Sequence, residues 1–174
     1  NITLDFDGDV SYLNYFKKAI LRWTEIITGD LSDYYDSALG LIDDLYINAT
    51  VRYIDGPSEI LGMAAATGFR LESKIPYKGI MIFDSADFDE MIERNILQEV
   101  ILHEIGHVLG FDIDLFKSLG LASGYNYTGL NAVQAYRSLS GNSSLSSIPL
   151  ERDGGEGTAG SHWGESIFTT ELMT

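Results

Sequence analysis

Residues 87–110 show the longest run of helical periodicity in the chain, and this run limits the possible folds more than any other feature. Its apolar side chains recur every three or four residues, so a helix would gather them on one face. The members of this stripe are Ile92, Ile96, Val100, Ile101, Ile105 and Val108. Gly110 stands where such a helix can end in a left-handed turn. The pattern predicts one long amphipathic helix over 87–110.

The flanking segments predict strands before this helix and irregular structure after it. The expected strands are 2–6, 45–54, 60–71 and 78–83, and the expected further helices are 12–27 and 130–139. After Phe111, Ser, Gly and Asn become frequent, which is typical of loops. We therefore expect an N-terminal α/β lobe over 1–111 and an irregular C-terminal lobe over 112–174.

Charge and residue types exclude several classes of function. The chain has 26 acidic against 11 basic residues and a net charge of −15, so nucleic acid and anionic lipid are poor partners and solubility outside the cell is favoured. No apolar run reaches the roughly 18–20 residues that a membrane span needs. The absence of cysteine removes thiol catalysis, disulfides and Cys-ligated zinc. We expect a secreted protein.

Three aspartates near the start of the chain, Asp5, Asp7 and Asp9, admit two interpretations. They could ligate calcium (Ca2+). They could instead serve a turn between the first strand and the first helix, with Asp9 or Ser11 as the helix cap. The turn accounts for the three residues as well as calcium binding does, and we favour the turn.

The sequence His103-Glu104-Ile105-Gly106-His107 matches H-E-x-x-H, a zinc-peptidase motif. On a helix, positions four apart share one face with Cβ atoms about 5–6 Å apart, so both imidazoles can face one ion. Zinc binds imidazole nitrogens at about 2.0–2.1 Å and lowers the pKa of bound water to about 7. Glu104 projects beside the pair, where its carboxylate can take a proton from that water. A chance match is the alternative, but the chain contains only three histidines.

A third ligand is needed, because a catalytic zinc site usually has three protein ligands and a water molecule. In the extended motif H-E-x-x-H-x-x-G-x-x-H the third histidine would fall at Ile113, so the compact motif fails here. Asp112 and Asp114 flank that position in the wrong register. His162 is the remaining histidine, and closing so long a loop costs about 3–4 kcal/mol against about 10–16 kcal/mol for zinc binding. We favour His162 and keep Asp112 and Asp114 as alternatives.

Three local motifs together resemble the leishmanolysin-type metzincins. They are His103-Glu104-Ile105-Gly106-His107-Val108-Leu109-Gly110-Phe111, then Ser161-His162-Trp163 after a long insertion, then Glu171-Leu172-Met173-Thr174. The resemblance implies that His162 is the third zinc ligand and that Met173 lies in a tight turn beneath the metal. It also implies the metzincin (zincin) plan: an α+β fold with a twisted mixed sheet, two long helices and an irregular C-terminal lobe, forming a single metallopeptidase catalytic domain over 1–174.

Motif and resemblance together predict hydrolysis of peptide bonds in protein or peptide substrates. We expect a monomeric endopeptidase with one zinc ion (Zn2+) and Glu104 as general base. The substrate is expected to extend along an edge strand at Gly79, Ile80, Met81, Ile82 and Phe83, and an ordinary core strand is the alternative.

Two departures from the family keep rival functions open. The chain lacks the cysteines of the protozoan members, and it ends one residue after Met173, where metzincins normally continue into a helix. The rivals are a zinc hydrolase that does not act on peptides, a binding or adhesion module that holds zinc for structure, and an inactive, shortened peptidase domain.

Overall fold

The computed structural model of the chain describes residues 1–155 and 157–174. The chain folds into two compact units, Asn1–Gly110 and Phe111–Thr174. The predicted mixture of helices and strands with a mixed sheet is confirmed. Within the described ranges, no helix combines the length and the apolar character that crossing a bilayer requires.

The first unit is built on a four-stranded mixed sheet. Its elements are β1 (Ile2–Asp7), α1 (Leu13–Ile26), β2 (Tyr34–Asp36), β3 (Gly40–Ile42), β4 (Leu45–Arg52), β5 (Gly62–Phe69), β6 (Pro76–Asp84), α2 (Phe88–Glu93) and α3 (Leu97–Val108). The strand order is β1-β4-β6-β5, with β1, β4 and β6 parallel and β5 antiparallel to β6. The strands β2 and β3 form a separate antiparallel hairpin. In the main sheet, β5 is therefore an edge strand and β6 an interior one.

One face of the sheet carries the core of the first unit. Along β4, Leu45, Ile47 and Ala49 are buried and alternate with residues that remain partly accessible. The helices α1 and α3 pack against each other, and α3 also packs against β5 and β6. Phe16 of α1 and Ile101 of α3 belong to the same buried cluster as the strand residues. The period of two along strands and of about 3.6 along helices thus sorts apolar side chains into one core.

The predicted single helix over 87–110 is wrong, because two helices replace it. The helix α2 ends at Glu93 and α3 begins at Leu97. Between them Asn95 has a left-handed backbone conformation with φ +57°. A left-handed residue cannot continue a right-handed helix, and asparagine is one of the few residues with a Cβ that adopts this conformation routinely.

A buried carboxylate ties the loop after β4 to the end of β6. Asp84 accepts hydrogen bonds through Oδ2 from the backbone N–H groups of Ile54, Asp55 and Gly56, and through Oδ1 from that of Ala86. Burial alone would raise the pKa of Asp84, but these hydrogen bonds outweigh it and hold the pKa well below its usual range. The carboxylate therefore stays charged and fixes the ends of two sheet strands.

Of the three aspartates near the start of the chain, Asp5 contacts β4 and Asp9 contacts the turn before α1. Within the described part of the chain, Asp5, Asp7 and Asp9 do not form a shared group of potential metal-binding atoms. Asp5 accepts hydrogen bonds from the hydroxyl of Tyr46 at 2.7 Å and from Nδ2 of Asn48 at 3.1 Å. Asp9 accepts one from the backbone two residues further on, at 2.8 Å, although α1 begins without a side-chain cap. The turn interpretation is supported for Asp9, although not as a helix cap, whereas Asp5 contacts β4 instead, and calcium gains no support.

The second unit consists of short elements around an aromatic cluster. Its elements are α4 (Ile113–Ser118), β7 (Ala122–Ser123), β8 (Asn126–Tyr127), α5 (Leu130–Ser140) and β9 (Ile148–Pro149). The helix α5 corresponds to the one predicted over 130–139, and β7, β8 and β9 form a small antiparallel sheet. Phe111 packs edge to face on Trp163, and Phe116 on Tyr127, each with ring centroids 4.7 Å apart. Such aromatic contacts add to the small apolar core of this unit.

Candidate metal centre

The helix α3 places His103 and His107 one turn apart on the same face. Their Nε2 atoms lie 3.0 Å apart, and the two rings meet edge to face with centroids 4.7 Å apart. Two nitrogens that each lie about 2.0–2.1 Å from one zinc ion are at most about 4.2 Å apart. The observed spacing and the imidazole donors therefore fit the metal that the motif implies.

Glu104, which directly follows His103 in α3, carries a buried carboxyl group. Its exposed fraction is 6%, and burial raises its pKa to about 7. The first residue of β5, Gly62, lies beside it, because a Cβ atom at Gly62 would be 3.4 Å from Cγ of Glu104. A carboxyl group that can hold or release a proton near neutral pH is suited to general acid–base chemistry.

The helix α3 ends directly after the motif, as the sequence predicts. Gly110 has φ +104°, and its N–H donates to the carbonyl oxygen of His107 at 3.0 Å. A residue with a Cβ would be strained in this conformation, whereas glycine adopts it readily. The glycine thus stops the helix without displacing the second histidine.

In the second unit, His162 is half-buried and its ring is oriented by a backbone carbonyl. Its Nδ1 lies 3.1 Å from the carbonyl oxygen of Thr158. An N–H at Nδ1 that donates to this carbonyl leaves the lone pair on Nε2, which is the tautomer that a metal ligand needs. The ring is therefore in a form suited to binding a metal through Nε2.

The alternative ligands Asp112 and Asp114 take part in the structure of α4. Oδ1 of Asp112 accepts hydrogen bonds from the backbone N–H groups of Asp114 and Leu115, at 2.8 and 3.1 Å, and so caps the helix. Oδ2 of Asp112 accepts one from the hydroxyl of Ser161 at 3.2 Å. Both carboxylate oxygens of Asp112 thus accept hydrogen bonds within the second unit. Asp114 is exposed in the first turn of α4.

Met173 lies in a tight turn near the end of the chain. The N–H of Thr174 donates to the carbonyl of Glu171 at 3.2 Å, and the side chain of Met173 is 4% exposed. The carbonyl of Met173 accepts a hydrogen bond from the N–H of Trp163 at 2.7 Å. The turn is therefore joined to the residue that follows His162, while its place beneath a metal stays a prediction.

The prediction that Gly79, Ile80, Met81, Ile82 and Phe83 form a substrate-binding edge is wrong. These residues belong to β6, which pairs with β4 on one side and with β5 on the other. Gly79, Met81 and Phe83 are buried in the core. A strand with both edges paired cannot accept a further strand, since β-augmentation needs an exposed edge. The edge beside Glu104 belongs to β5.

Two imidazoles one helical turn apart, with a buried carboxyl group on the residue after the first, are typical of metal-dependent hydrolases that carry H-E-x-x-H on a helix. Comparison with known protein families matches residues 44–174 to the leishmanolysin family of peptidases. The chain belongs to this family of metallopeptidases, and the resemblance predicted from its motifs is confirmed. A search of curated proteins found no significant match.

Proposed function

We propose that the chain is a zinc-dependent endopeptidase whose metal ligands are His103, His107 and His162. The observation that carries the proposal is the pair of Nε2 atoms 3.0 Å apart on α3, beside a buried carboxyl group. Membership of the leishmanolysin family supports it, because the matched residues include all three histidines. His162 is preferred to Asp112 as third ligand because its ring presents Nε2, whereas both oxygens of Asp112 accept hydrogen bonds within the second unit.

The proposed reaction is the attack of water on a peptide carbonyl. When bound, the zinc ion would polarise that carbonyl and lower the pKa of the attacking water. Glu104 accepts a proton from the water and passes it to the nitrogen of the leaving amine. Burial raises the pKa of Glu104 to about 7, so at neutral pH its carboxyl group can both take up and release this proton.

The proposed substrate lies extended along β5. Among the described residues, β5 has a hydrogen-bonded neighbour, β6, on one side only. The backbone N–H and C=O groups of its other edge can pair with an extended peptide, with little dependence on the peptide's sequence. Because β5 begins at Gly62, next to Glu104, a peptide paired with this edge would pass the general base.

The proposal is tested by removing the carboxyl group of Glu104. The Glu104→Ala variant is expected to keep its zinc and to cleave a denatured protein about 10²–10⁴ times more slowly. Glu99→Ala is the matched control, since Glu99 is exposed on the same helix, and its activity should equal that of the wild type. Zinc content and cleavage are measured on the same preparations.

Three outcomes would contradict parts of this proposal. A wild-type protein that binds zinc but cleaves no peptide would favour a binding module. Cleavage by Glu104→Ala at the wild-type rate would remove Glu104 from the mechanism. Unchanged zinc affinity in His162→Ala would exclude His162 as a ligand and favour Asp114 as the alternative.

A further inference from the structure

We propose that Glu151 is a positioning residue that holds the loop around His162 in the conformation that binds the metal. The inference rests on the proposed function, because it concerns the proposed third ligand. It starts from the observation that Glu151 contacts the chain on both sides of His162, through its backbone and through its carboxylate.

The backbone of Glu151 holds the residues immediately around His162. Its N–H donates to the carbonyl of His162 at 2.9 Å, and its carbonyl accepts from the N–H of Gly160 at 2.8 Å. The adjacent residues Leu150 and Trp163 form an antiparallel bridge, and Leu150 is only 2% exposed. His162 is therefore attached to a buried segment through a short antiparallel ladder.

The carboxylate of Glu151 fixes two further parts of the same loop. Oε1 accepts hydrogen bonds from the N–H groups of Arg152 and Asp153, at 2.8 and 3.0 Å. Oε2 accepts one from the N–H of Glu165 at 3.0 Å, three residues beyond His162. All three partners are donors, so a carboxylate, which only accepts, satisfies them together.

The loop needs such support because of its glycines. Gly154, Gly155, Gly157 and Gly160 all have positive φ values, between 78° and 92°. Glycine has the largest conformational freedom to lose on folding, so an ordered glycine-rich loop depends on specific contacts. The hydrogen bonds of Glu151 connect this loop at its start and beyond its end, and they hold the backbone from which the His162 ring projects.

Two other contacts also support the segment around His162, and they act on different groups. The carbonyl of Thr158 orients the ring through Nδ1, and the hydroxyl of Ser161 donates to Asp112 at 3.2 Å. Glu151 differs from both, because it contacts the backbone on either side of the ligand. Groups that hydrogen-bond directly to metal ligands change metal affinity by about 10–100-fold when they are mutated, and we take this range as the scale for a residue that holds the backbone of the ligand.

The test replaces one carboxylate oxygen with an NH2 group. In Glu151→Gln the amide nitrogen faces a backbone N–H that had an acceptor, so we expect zinc affinity, measured by competition with a chelator, to fall about 10–100-fold. Glu165→Gln is the matched control, because it makes the same change of charge on an exposed side chain and keeps the backbone N–H through which Glu165 contacts Glu151. Its zinc affinity should equal that of the wild type.

A second variant covers the case in which Glu151→Gln does not fold. Glu151→Asp keeps an acceptor-only carboxylate but is one methylene shorter, so it can retain the nearby contacts with Arg152 and Asp153 and lose the one with Glu165. Its zinc affinity is expected to lie between those of the wild type and Glu151→Gln.

A spectroscopic measurement separates positioning from a general loss of stability. In the metal-free wild type, long-range ¹H–¹⁵N NMR spectra should show the His162 ring with its proton on Nδ1, as the contact with Thr158 requires. In Glu151→Gln we expect a mixture of the two tautomers. A purely structural role would lower the melting temperature and leave the tautomer and the zinc affinity of the folded protein unchanged, which would overturn the inference.

The inference and the proposed function fail in different ways. If Glu151→Gln binds zinc as the wild type does while His162→Ala does not, Glu151 is not a positioning residue and the ligand set stands. If His162→Ala itself binds zinc with wild-type affinity, the proposed third ligand is wrong, and the role given to Glu151 fails with it.

Discussion

Gly79 shows how one residue can determine the packing of the metal-binding helix. A Cβ atom at this position would lie 2.5 Å from Cγ1 of Val108 and 2.8 Å from the carbonyl oxygen of Ala65. Val108 directly follows His107, so the missing side chain lets α3 approach β6 closely. A residue predicted to contact substrate is therefore a packing residue in the core.

Replacing this glycine should destabilise the protein. In Gly79→Ala the extra methyl group overpacks the contact between α3 and β6, and we expect a loss of about 1–3 kcal/mol in the free energy of unfolding, measured with urea. Gly29→Ala is the control, since a Cβ atom there would meet nothing within 4 Å. Wild-type stability of Gly79→Ala would contradict the close approach.

Asp36 gives the first unit a stability that depends on pH. The N–H of Ala38 and the ammonium group of Lys78 hydrogen-bond to its carboxylate at 2.9 and 3.0 Å and lower its pKa to about 2. An unfolded aspartate has a pKa of about 3.9. Because the folded pKa is the lower one, the contribution of Asp36 is present above about pH 4 and is lost as the pH falls towards 2.

The corresponding prediction concerns Asp36→Asn. The variant should be less stable than the wild type at neutral pH, and the difference should shrink as the pH falls from about 4 towards 2. Urea unfolding at a series of pH values measures it. Asp33→Asn, which changes an exposed carboxylate nearby, is the matched control. A difference that stays constant down to pH 2 would argue against the proposed cause.

At the residue scale, the sequence predicts what depends on local geometry. His103, Glu104, His107 and Gly110 all follow from helical spacing over a few residues, and the structure has them on or directly after α3. The hydrogen bond from Ser161 to Asp112 joins residues 49 positions apart, and no sequence pattern reveals such a contact. The contacts of Glu151 with residues 160, 162 and 165 could not be predicted from the sequence for the same reason.

At the scale of elements, the backbone conformation of Asn95 produces the break between α2 and α3. Its φ of +57° costs about 1–2 kcal/mol for most residues with a Cβ but little for glycine. The apolar stripe runs through both helices, so its periodicity suggests one helix. Periodicity reports which face is buried, and a single left-handed residue can leave that face intact.

Substitutions of Asn95 distinguish a broken helix from a continuous one. Because Asn95 is exposed, packing does not obscure the comparison. We expect Asn95→Ala to lower the free energy of unfolding by about 1 kcal/mol and Asn95→Gly to leave it nearly unchanged. In a continuous helix the order would be reversed, since alanine is favoured over glycine there by about 1 kcal/mol. Urea denaturation of both variants decides between the two.

The strands were predictable individually, but their order in the sheet was not. The predicted segments 2–6, 45–54, 60–71 and 78–83 correspond to β1, β4, β5 and β6. Which of them lies at the edge depends on pairing between distant segments, and alternation within one strand does not report it. The two-residue strands β7, β8 and β9 are too short to leave any pattern.

At the scale of the whole molecule, the proposed ligands come from both units of the chain. Zinc that binds only the folded protein should therefore raise the free energy of unfolding, by about 2.7 kcal/mol at a free zinc concentration 100 times the dissociation constant. Thermal unfolding with and without a chelator measures this effect. Magnesium is the control ion, because it prefers oxygen ligands. Equal stabilisation by both ions would contradict a site made of imidazoles.

The net charge of the chain bears on which partners it can bind. A net charge of −15 disfavours partners with phosphate backbones, which is compatible with the proposed peptide substrate. A secreted location and a monomeric state stay predictions. What the family match adds is the relation between the helix motif and the distant residues around His162, within one matched stretch over 44–174.

Because the left-handed residue Asn95 breaks the helix before α3, the directions of the side chains on α3 do not follow from those on α2. In an uninterrupted helix every inserted residue turns all later side chains by about 100° around the axis. Here the break at Asn95 means that α3 takes its orientation from its packing against α1, β5 and β6 and not from a continuous turn through α2. Within α3 no such break lies before the motif, so one residue inserted between Leu97 and His103 would turn both imidazoles together by about 100° relative to the strands on which the helix packs.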